Sequence, residues 1–169
     1  MTALIFISVA EGIFLLYAAC TDIAARLIPN AVCLALAALG MMHASLTTPA
    51  SALMQASVVT IGLFLTLLML HTRRWIGGGD VKLLVAVAIG MSFAGVVDLL
   101  TRIALVSLVL AAVHLIMRRL PNPKPAPVGS SLVRRVYAIE RWRNLRHAPL
   151  PYGVAIAFGG IWTLFSHGV

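Results

Sequence analysis

Long apolar runs alternate with short polar breaks along almost the whole chain. A helix that crosses a membrane needs about 20 mostly apolar residues, with a range of roughly 17 to 25. That rule predicts six membrane-spanning helices, over residues 3–20, 30–45, 52–70, 81–97, 99–117 and 150–166. We expect the fourth and fifth of these to be joined by a tight turn near Asp98. The pattern therefore predicts an all-α fold, a bundle of six transmembrane helices.

Composition agrees with a protein that is surrounded by lipid. Of the 169 residues, 61% are hydrophobic and only 11% are charged, and the mean hydropathy is +1.00. Such a chain is apolar on nearly every face, which excludes an ordinary water-soluble domain. The first apolar run has no basic segment before it and carries Glu11 near its middle, so we expect a retained span rather than a cleaved signal peptide.

The basic residues indicate how the helices are oriented. The net charge is +8, yet no recognised nucleic-acid module is present, so we expect no nucleic-acid partner. Every Lys and Arg except Arg102 falls in or beside the first, third or fifth connection between predicted helices. By the positive-inside rule these connections face the cytoplasm, against anionic lipid of the inner leaflet, and both termini face outward. The expected location is the bacterial cytoplasmic (inner) membrane.

The fifth connection, residues 118–149, is the only sizeable polar segment of what we expect to be one membrane-embedded domain over residues 1–169. Its proline-rich start favours extended backbone and cannot continue the fifth helix. From 132 to 145, apolar residues recur at helical spacing among arginines, which predicts an amphipathic helix on the inner leaflet. That helix either is a solvated basic element or captures substrate or lipid; the pattern favours neither.

Cysteine and histidine show no sign of a metal site or of a cofactor. Cys20 and Cys33 form no Cys-x-x-Cys pair, and at a cytoplasmic face a disulfide is not expected. No histidines have the spacing of metal ligands. We therefore expect neither a metal nor a cofactor.

Two aspartates are the strongest candidates for chemistry. Gly77, Gly78 and Gly79 precede Asp80, and the run of glycines removes the side chains that would keep another backbone away from its carboxylate. Asp22 follows the first predicted span, on the same predicted face and at the same depth. Charged residues at membrane depth are costly and usually functional. The simpler interpretation is a glycine-rich turn with Asp80 as the N-cap of the next helix.

A pair of neighbouring carboxyl groups can catalyse hydrolysis. Two carboxyls a few ångströms apart cannot readily both ionise, so they share a proton. The ionised group can activate a water molecule towards a peptide carbonyl, while the protonated group hydrogen-bonds that carbonyl and later protonates the leaving amine. The pattern does not say which aspartate is base and which is acid.

Other residues near the two aspartates are candidates for shaping the site. Pro29 marks the break before the second span, and Asn30 is expected to cap that span. Lys82 either reaches lipid phosphate or favours ionisation of the aspartates. The last span opens with residues that either line the mouth of the site or simply start a helix, namely Pro151, Tyr152 and Gly153.

Two further acidic residues are expected to be structural. Glu11 lies deep in the first span and far from both aspartates, which favours a protonated or hydrogen-bonded group inside the bundle. Asp98 and Arg102 are four residues apart, in the order that favours an ion pair on a helix. Four of the five acidic residues thus separate into two candidates for chemistry and two candidates for packing.

Three segments together resemble a known family. They are Asp22 followed seven residues later by Pro29-Asn30, the glycine segment with Asp80 (residues 77–83), and the late segment 151–157. The chain resembles the type IV prepilin peptidases, membrane aspartyl proteases of the GxGD type, in the short form associated with Flp-type pili. The resemblance implies that Asp22 and Asp80 are catalytic and that the substrate is a prepilin or pseudopilin cut at the cytoplasmic face. Longer members also methylate the new N-terminus through a domain with paired Cys-x-x-Cys motifs, which this chain lacks, so we expect no methyltransferase activity.

Two other classes of function stay open from the residues alone. Membrane aspartates also carry protons or cations in small ion-coupled transporters, although no inverted repeat is visible here. A non-catalytic subunit for pilus assembly would need the aspartates only as helix caps. The pattern also leaves a homodimer open.

Overall fold

The computed structural model describes residues 2–119, 131, 139 and 150–166, and within them every regular element is an α-helix. The elements in chain order are α1 (Thr2–Ala25), α2 (Asn30–Thr47), α3 (Ala50–Thr72), α4 (Gly78–Ala88), α5 (Phe93–Arg119) and α6 (Tyr152–Ser166). The predicted all-α class is confirmed. The predicted amphipathic helix over 132–145 lies outside the described residues apart from Ile139.

Four of these helices, α1, α2, α3 and α5, are long and apolar enough to cross a membrane. Two of the six predicted spans therefore correspond to helices that are shorter than a full membrane span. The helix α6 has 15 residues and α4 only 11. At 1.5 Å per residue α4 is about 16 Å long, roughly half the thickness of the hydrocarbon core. It is therefore not among the helices long enough to cross a membrane by themselves.

The predicted boundary between the fourth and fifth spans is wrong. α4 ends at Ala88 and α5 begins at Phe93, so Asp98 lies inside α5 and not at a turn. The turn is made at Gly90, whose φ of +79° lies in the left-handed region. A Cβ atom at Gly90 would lie 2.4 Å from the Cβ of Ala44 on α2, so the turn also needs a glycine for space. Hydropathy misses this turn because the residues around Gly90 remain apolar.

The last helix, α6, forms the centre of the described bundle. It packs against α1, α4 and α5, and most of its residues are buried. Gly159 allows α5 to come close, since a Cβ there would lie 2.6 Å from the Cγ1 of Ile103. Such close backbone approach at a small residue is the usual way in which helices pack within lipid. The position of α6 matters for the site because its first turn meets the end of α1.

The outer surface of the bundle is apolar. On α3 only Ala56 and Leu67 are buried, while large apolar side chains such as Val58 and Met69 are exposed. A surface of this kind is unsuited to water and suited to lipid tails. The protein is thus an all-α polytopic membrane protein.

Candidate active site

Asp22 lies in the last turn of α1 and is buried, with 6% of its surface exposed. The helix extends five residues past the predicted end at residue 20, which brings Asp22 into the bundle. α1 ends because Arg26 adopts a left-handed φ of 55° while its N–H donates to the carbonyl of Asp22 at 2.9 Å. A left-handed residue just past the last turn is a common way to stop a helix. The carboxyl group of Asp22 is therefore held at a defined helix end.

Asp80 lies in the first turn of α4 and is half-buried. The N-cap is Gly77, with φ −68° and ψ 142°, so the expectation that Asp80 itself is the N-cap is wrong. Asp80 is the third helical residue, and its carboxylate accepts a hydrogen bond from the backbone N–H of Gly77. This is the acidic half of a capping box, which aims the side chain back over the glycine turn.

The three glycines of the turn each lie against a different neighbour. A Cβ at Gly77 would lie 2.9 Å from Oδ2 of Asp80, and one at Gly78 would lie 3.2 Å from Cε1 of His71. At Gly79 a Cβ would make only ordinary contact with the side chain of Ile28. The three glycines place no side chain just before Asp80. Of the three, Gly77 has the least room for a Cβ atom, because the carboxylate of Asp80 lies there.

The structure brings the two aspartates into electrostatic contact. The pKa of Asp80 is raised to about 6, first because burial penalises the charged carboxylate and then because of the negative charge of Asp22. The hydrogen bond from Gly77 acts in the opposite direction. A charge influences a neighbour's pKa in this way only when the two groups are close. The ends of α1 and α4 thus present a pair of carboxyl groups that favours holding one proton between them.

The start of α6 completes the wall around Asp22. A Cβ at Gly153 would lie 2.8 Å from Oδ2 of Asp22, so only a glycine lets α6 approach this carboxyl group. Pro151 is buried, and its carbonyl accepts a hydrogen bond from the N–H of Val154 that opens the helix. Tyr152, by contrast, is 40% exposed. Of the three late candidates, Gly153 is therefore the one in contact with an aspartate.

Asn30 and Lys82 contact each other beside the site. The N-cap of α2 is Pro29, without a side-chain cap, so the prediction that Asn30 caps this helix is wrong. The Nζ of Lys82 instead donates to Oδ1 of Asn30 at 3.0 Å. This hydrogen bond ties α4 to α2 beside the site. It is an exposed, charge-assisted hydrogen bond between two helices.

His71 lies in the last turn of α3. Its Nδ1 lies 2.9 Å from the carbonyl oxygen of Ile76, and because a carbonyl can only accept, the Nδ1–H of His71 is the donor. The imidazole therefore holds the loop that leads into the glycine turn and packs on Gly78. No spacing in the sequence predicts this contact, since it depends on how the loop folds back over α3.

The other two acidic residues that the structure describes, Glu11 and Asp98, lie away from this pair. Glu11 is buried and precedes Asp22 by eleven residues, which is about 16 Å along α1. Oδ2 of Asp98 pairs with Nε of Arg102 at 2.9 Å, as predicted. In the parts of the chain that the structure describes, no group of three or more metal-binding side chains comes together.

Comparison with known proteins gives one finding. The model of the type IV leader peptidase family matches residues 10–117, which include Asp22, the glycine turn and Asp80. No curated protein and no solved structure matches the chain. The family model covers more than half of the 169 residues and both members of the carboxyl pair. The chain belongs to the type IV leader peptidase family.

Proposed function

We propose that this protein is an aspartic endopeptidase that removes the leader peptide of type IV prepilins or pseudopilins, of the Flp-like class, with Asp22 and Asp80 as its catalytic residues. The observation that carries the proposal is the electrostatic coupling of these two carboxyl groups, from helices far apart in the sequence. Membership of the family supports a peptidase in general and prepilin-type substrates. The pair supplies the acid and the base that hydrolysis of a peptide bond requires.

The raised pKa of Asp80 sets the protonation state of the pair. Below about pH 6 Asp80 keeps its proton, because burial penalises its charged form and the negative charge of Asp22 raises the pKa further. The ionised carboxyl takes a proton from a water molecule, and the water oxygen attacks the carbonyl carbon of the scissile peptide bond. The protonated carboxyl donates a hydrogen bond to the carbonyl oxygen, and the proton from the water reaches the leaving amine. The two aspartates act as a unit, so neither role is assigned to one of them.

The glycine turn supports an extended peptide as substrate. Gly77, Gly78 and Gly79 present backbone and no side chains next to Asp80, so a substrate backbone can come close to its carboxylate. Loss of the side chains also leaves backbone groups near the site that can hydrogen-bond an extended chain. His71 holds the loop ahead of this turn through the carbonyl of Ile76.

The orientation follows from the charges at the same end of the bundle. Arg26, Arg73 and Arg74 lie next to the helix ends that carry the aspartates. Positive residues accumulate on the cytoplasmic side, so we place the site at the cytoplasmic face of the inner membrane and both termini outside. We expect no methyltransferase activity.

Cleavage of a synthetic prepilin by purified protein in detergent tests the proposal. Asp22→Asn and Asp80→Asn keep the size of the side chain but remove its ability to ionise. Each should lower the cleavage rate by at least about 100-fold, since acid–base groups contribute roughly 10² to 10⁴. Mass spectrometry of the products identifies the cut, and gel filtration shows that each variant is folded.

Asp98→Asn is the matched control, because it makes the same change in a carboxyl group that pairs with Arg102 in α5. It should retain cleavage. Wild-type cleavage by either variant of the pair would overturn the catalytic assignment. If the wild type does not cleave prepilin but moves protons into liposomes, and the Asp→Asn variants do not, the protein is an ion-coupled transporter. If the wild type does neither, the protein is a non-catalytic subunit for pilus assembly.

A further inference from the structure

A cavity of about 510 Å³ lies at the end of the bundle opposite the aspartate pair. It is enclosed by α1, α2, α6 and the turn between α4 and α5. Its volume is that of a site for a small organic molecule. Nothing in the proposed peptidase mechanism uses it.

The carboxyl group of Glu11 lines this cavity and lies within ion-pair distance of His43. Only 6% of Glu11 is exposed, and its Oε2 makes no hydrogen bond to any group in the described part of the chain. The nearest cationic candidate is Nδ1 of His43, which lies 3.7 Å from Oε2, longer than a hydrogen bond. A buried polar group without a partner costs free energy, and a carboxyl group at membrane depth costs more. The cavity therefore contains an acceptor that a bound donor would satisfy.

The charge around the cavity favours a cation. The whole chain has 13 Lys and Arg against 5 Asp and Glu, yet the described lining includes Glu11 and Asp98 and no Lys or Arg. Asp98 is already paired with Arg102 at 2.9 Å. The carboxylate of Glu11 pairs with His43 only when that imidazole is protonated, so with a neutral His43 its negative charge is available to a ligand.

The rest of the wall favours an apolar chain attached to that cation. Four apolar side chains line the cavity, those of Leu15, Leu36, Val87 and Leu164. Ala94, at the start of α5, also lines the cavity and is exposed. A bare metal ion would need several anionic ligands, and this wall offers one free carboxylate. An organic ammonium group needs only one carboxylate and tolerates apolar neighbours.

We propose that this cavity is a binding site for an organic ammonium group that carries an apolar chain, with the carboxylate of Glu11 as the hydrogen-bond acceptor. The ammonium N–H groups donate to Glu11, and the chain packs on the leucine side chains. The headgroup of an aminophospholipid and a free alkylamine share this chemistry. The proposal does not depend on the peptidase activity.

Thermal unfolding of the full-length protein in detergent tests the site. Octylammonium at about 100 times its Kd should raise the Tm of the wild type by roughly 5 °C. Octanol has the same chain without the charge, and we expect less than a third of that shift. Glu11→Gln, which has the same shape, should remove the response to octylammonium, whereas Asp80→Asn, which changes a carboxyl group at the other end, should keep it.

A second variant guards against misfolding of the first. Ala94→Phe places a large ring among the lining residues from an exposed position and should weaken octylammonium binding at least tenfold, with Glu11 intact. Equal shifts with octanol and octylammonium, or an undiminished response in both variants, would overturn the proposal. Glu11→Gln should still cleave prepilin, so the outcome here is independent of the outcome for the aspartate pair.

Native mass spectrometry separates the two sources of the ammonium group. If phosphatidylethanolamine remains bound to the wild type in preference to phosphatidylglycerol, and Glu11→Gln loses that preference, the ligand is a lipid headgroup. If octylammonium binds but neither lipid is preferred, the site takes a free amine. Either result supports the site, and absence of both kinds of binding refutes it.

Discussion

The two ends of the bundle each contain a pair of acidic residues, and their surroundings differ. At one end Asp22 and Asp80 come close enough for the charge of the first to raise the pKa of the second. At the other end Asp98 is neutralised by Arg102, and Glu11 faces a cavity. Acidic residues in this membrane protein are therefore placed in two ways, as a mutually coupled pair and as separate groups.

Different neighbouring residues produce this difference. Gly77 and Gly153 lie against the aspartate pair, and neither has room for a side chain. At the opposite end the guanidinium of Arg102 donates to the carbonyl of Trp162 at 2.9 Å and lies 5.2 Å from the centre of its indole ring. Small residues let the backbone come close to the carboxyl groups, whereas a cation with several partners locks two helices together. One end of the bundle therefore holds a coupled carboxyl pair, and the other holds an ion pair that joins two helices.

Gly153→Ala should have the largest effect among the changes that probe this comparison without altering a carboxyl group. The new Cβ would lie 2.8 Å from Oδ2 and 3.0 Å from Cγ of Asp22, so α6 or the carboxyl group must move. A misplacement of about 1 Å can cost about 100-fold in rate, and we expect kcat/KM for prepilin cleavage to fall by 10- to 100-fold.

Gly62→Ala provides the control for Gly153→Ala. It makes the same change in α3, where no heavy atom lies within 4 Å of the new Cβ. Cleavage should be unchanged, and helix propensity should stabilise the protein by up to about 1 kcal/mol. Wild-type activity in Gly153→Ala would show that α6 does not determine the position of Asp22.

Arg102→Met should separate stability from activity. It removes the ion pair with Asp98, the hydrogen bond to Trp162 and another to Ser166, all of which connect α5 to itself or to α6. We expect a loss of roughly 1–3 kcal/mol in unfolding free energy, because charged hydrogen bonds contribute about that much. The unfolding midpoint in detergent measures it, and cleavage below that midpoint should persist.

Arg119→Met makes the same substitution in the exposed last turn of α5 and should leave the midpoint within about 1 °C. Loss of cleavage in Arg102→Met at a temperature where the protein is folded would contradict the division into two ends.

Asp80→Asn should raise the stability of the protein at neutral pH, whereas Arg102→Met lowers it. The effect of Asp80→Asn should be the smaller of the two. The folded-state pKa of Asp80 is about 6, above the ordinary value of 3.8. The folded protein therefore keeps a proton that the unfolded chain has lost, and stability that is fully present below pH 3.8 is lost as pH rises through about 6. The amide does not ionise, so its Tm should exceed that of the wild type by a few degrees at pH 7.5 and match it near pH 3.5.

Asp98→Asn should lower the Tm at pH 7.5, because it removes the partner of Arg102. Opposite shifts for the same substitution at the two ends would sharpen the comparison. A lower Tm for Asp80→Asn at pH 7.5 would indicate that the coupling of the aspartates does not oppose folding.

Helix positions were largely predictable, and helix ends were not. The starts of α2 and α3 are near those predicted, because Pro29 and Pro49 interrupt the apolar pattern there. The turn at Gly90 was missed, since it depends on a close contact with Ala44 rather than on polarity. The prediction that Asn30 caps α2 was wrong, because its side chain instead accepts a hydrogen bond from Lys82, which is distant in the sequence.

The sequence by itself determined that the protein is helical and membrane-embedded and that Asp22 and Asp80 lie at helix ends. These properties depend on local hydropathy and on the positions of glycine and proline. Only the tertiary structure decided that α6 closes against Asp22 through Gly153 and that Glu11 borders a cavity. The physical reason is that hydropathy sums over neighbours in the chain, whereas the coupling of two charges depends on the distance between atoms that packing brings together.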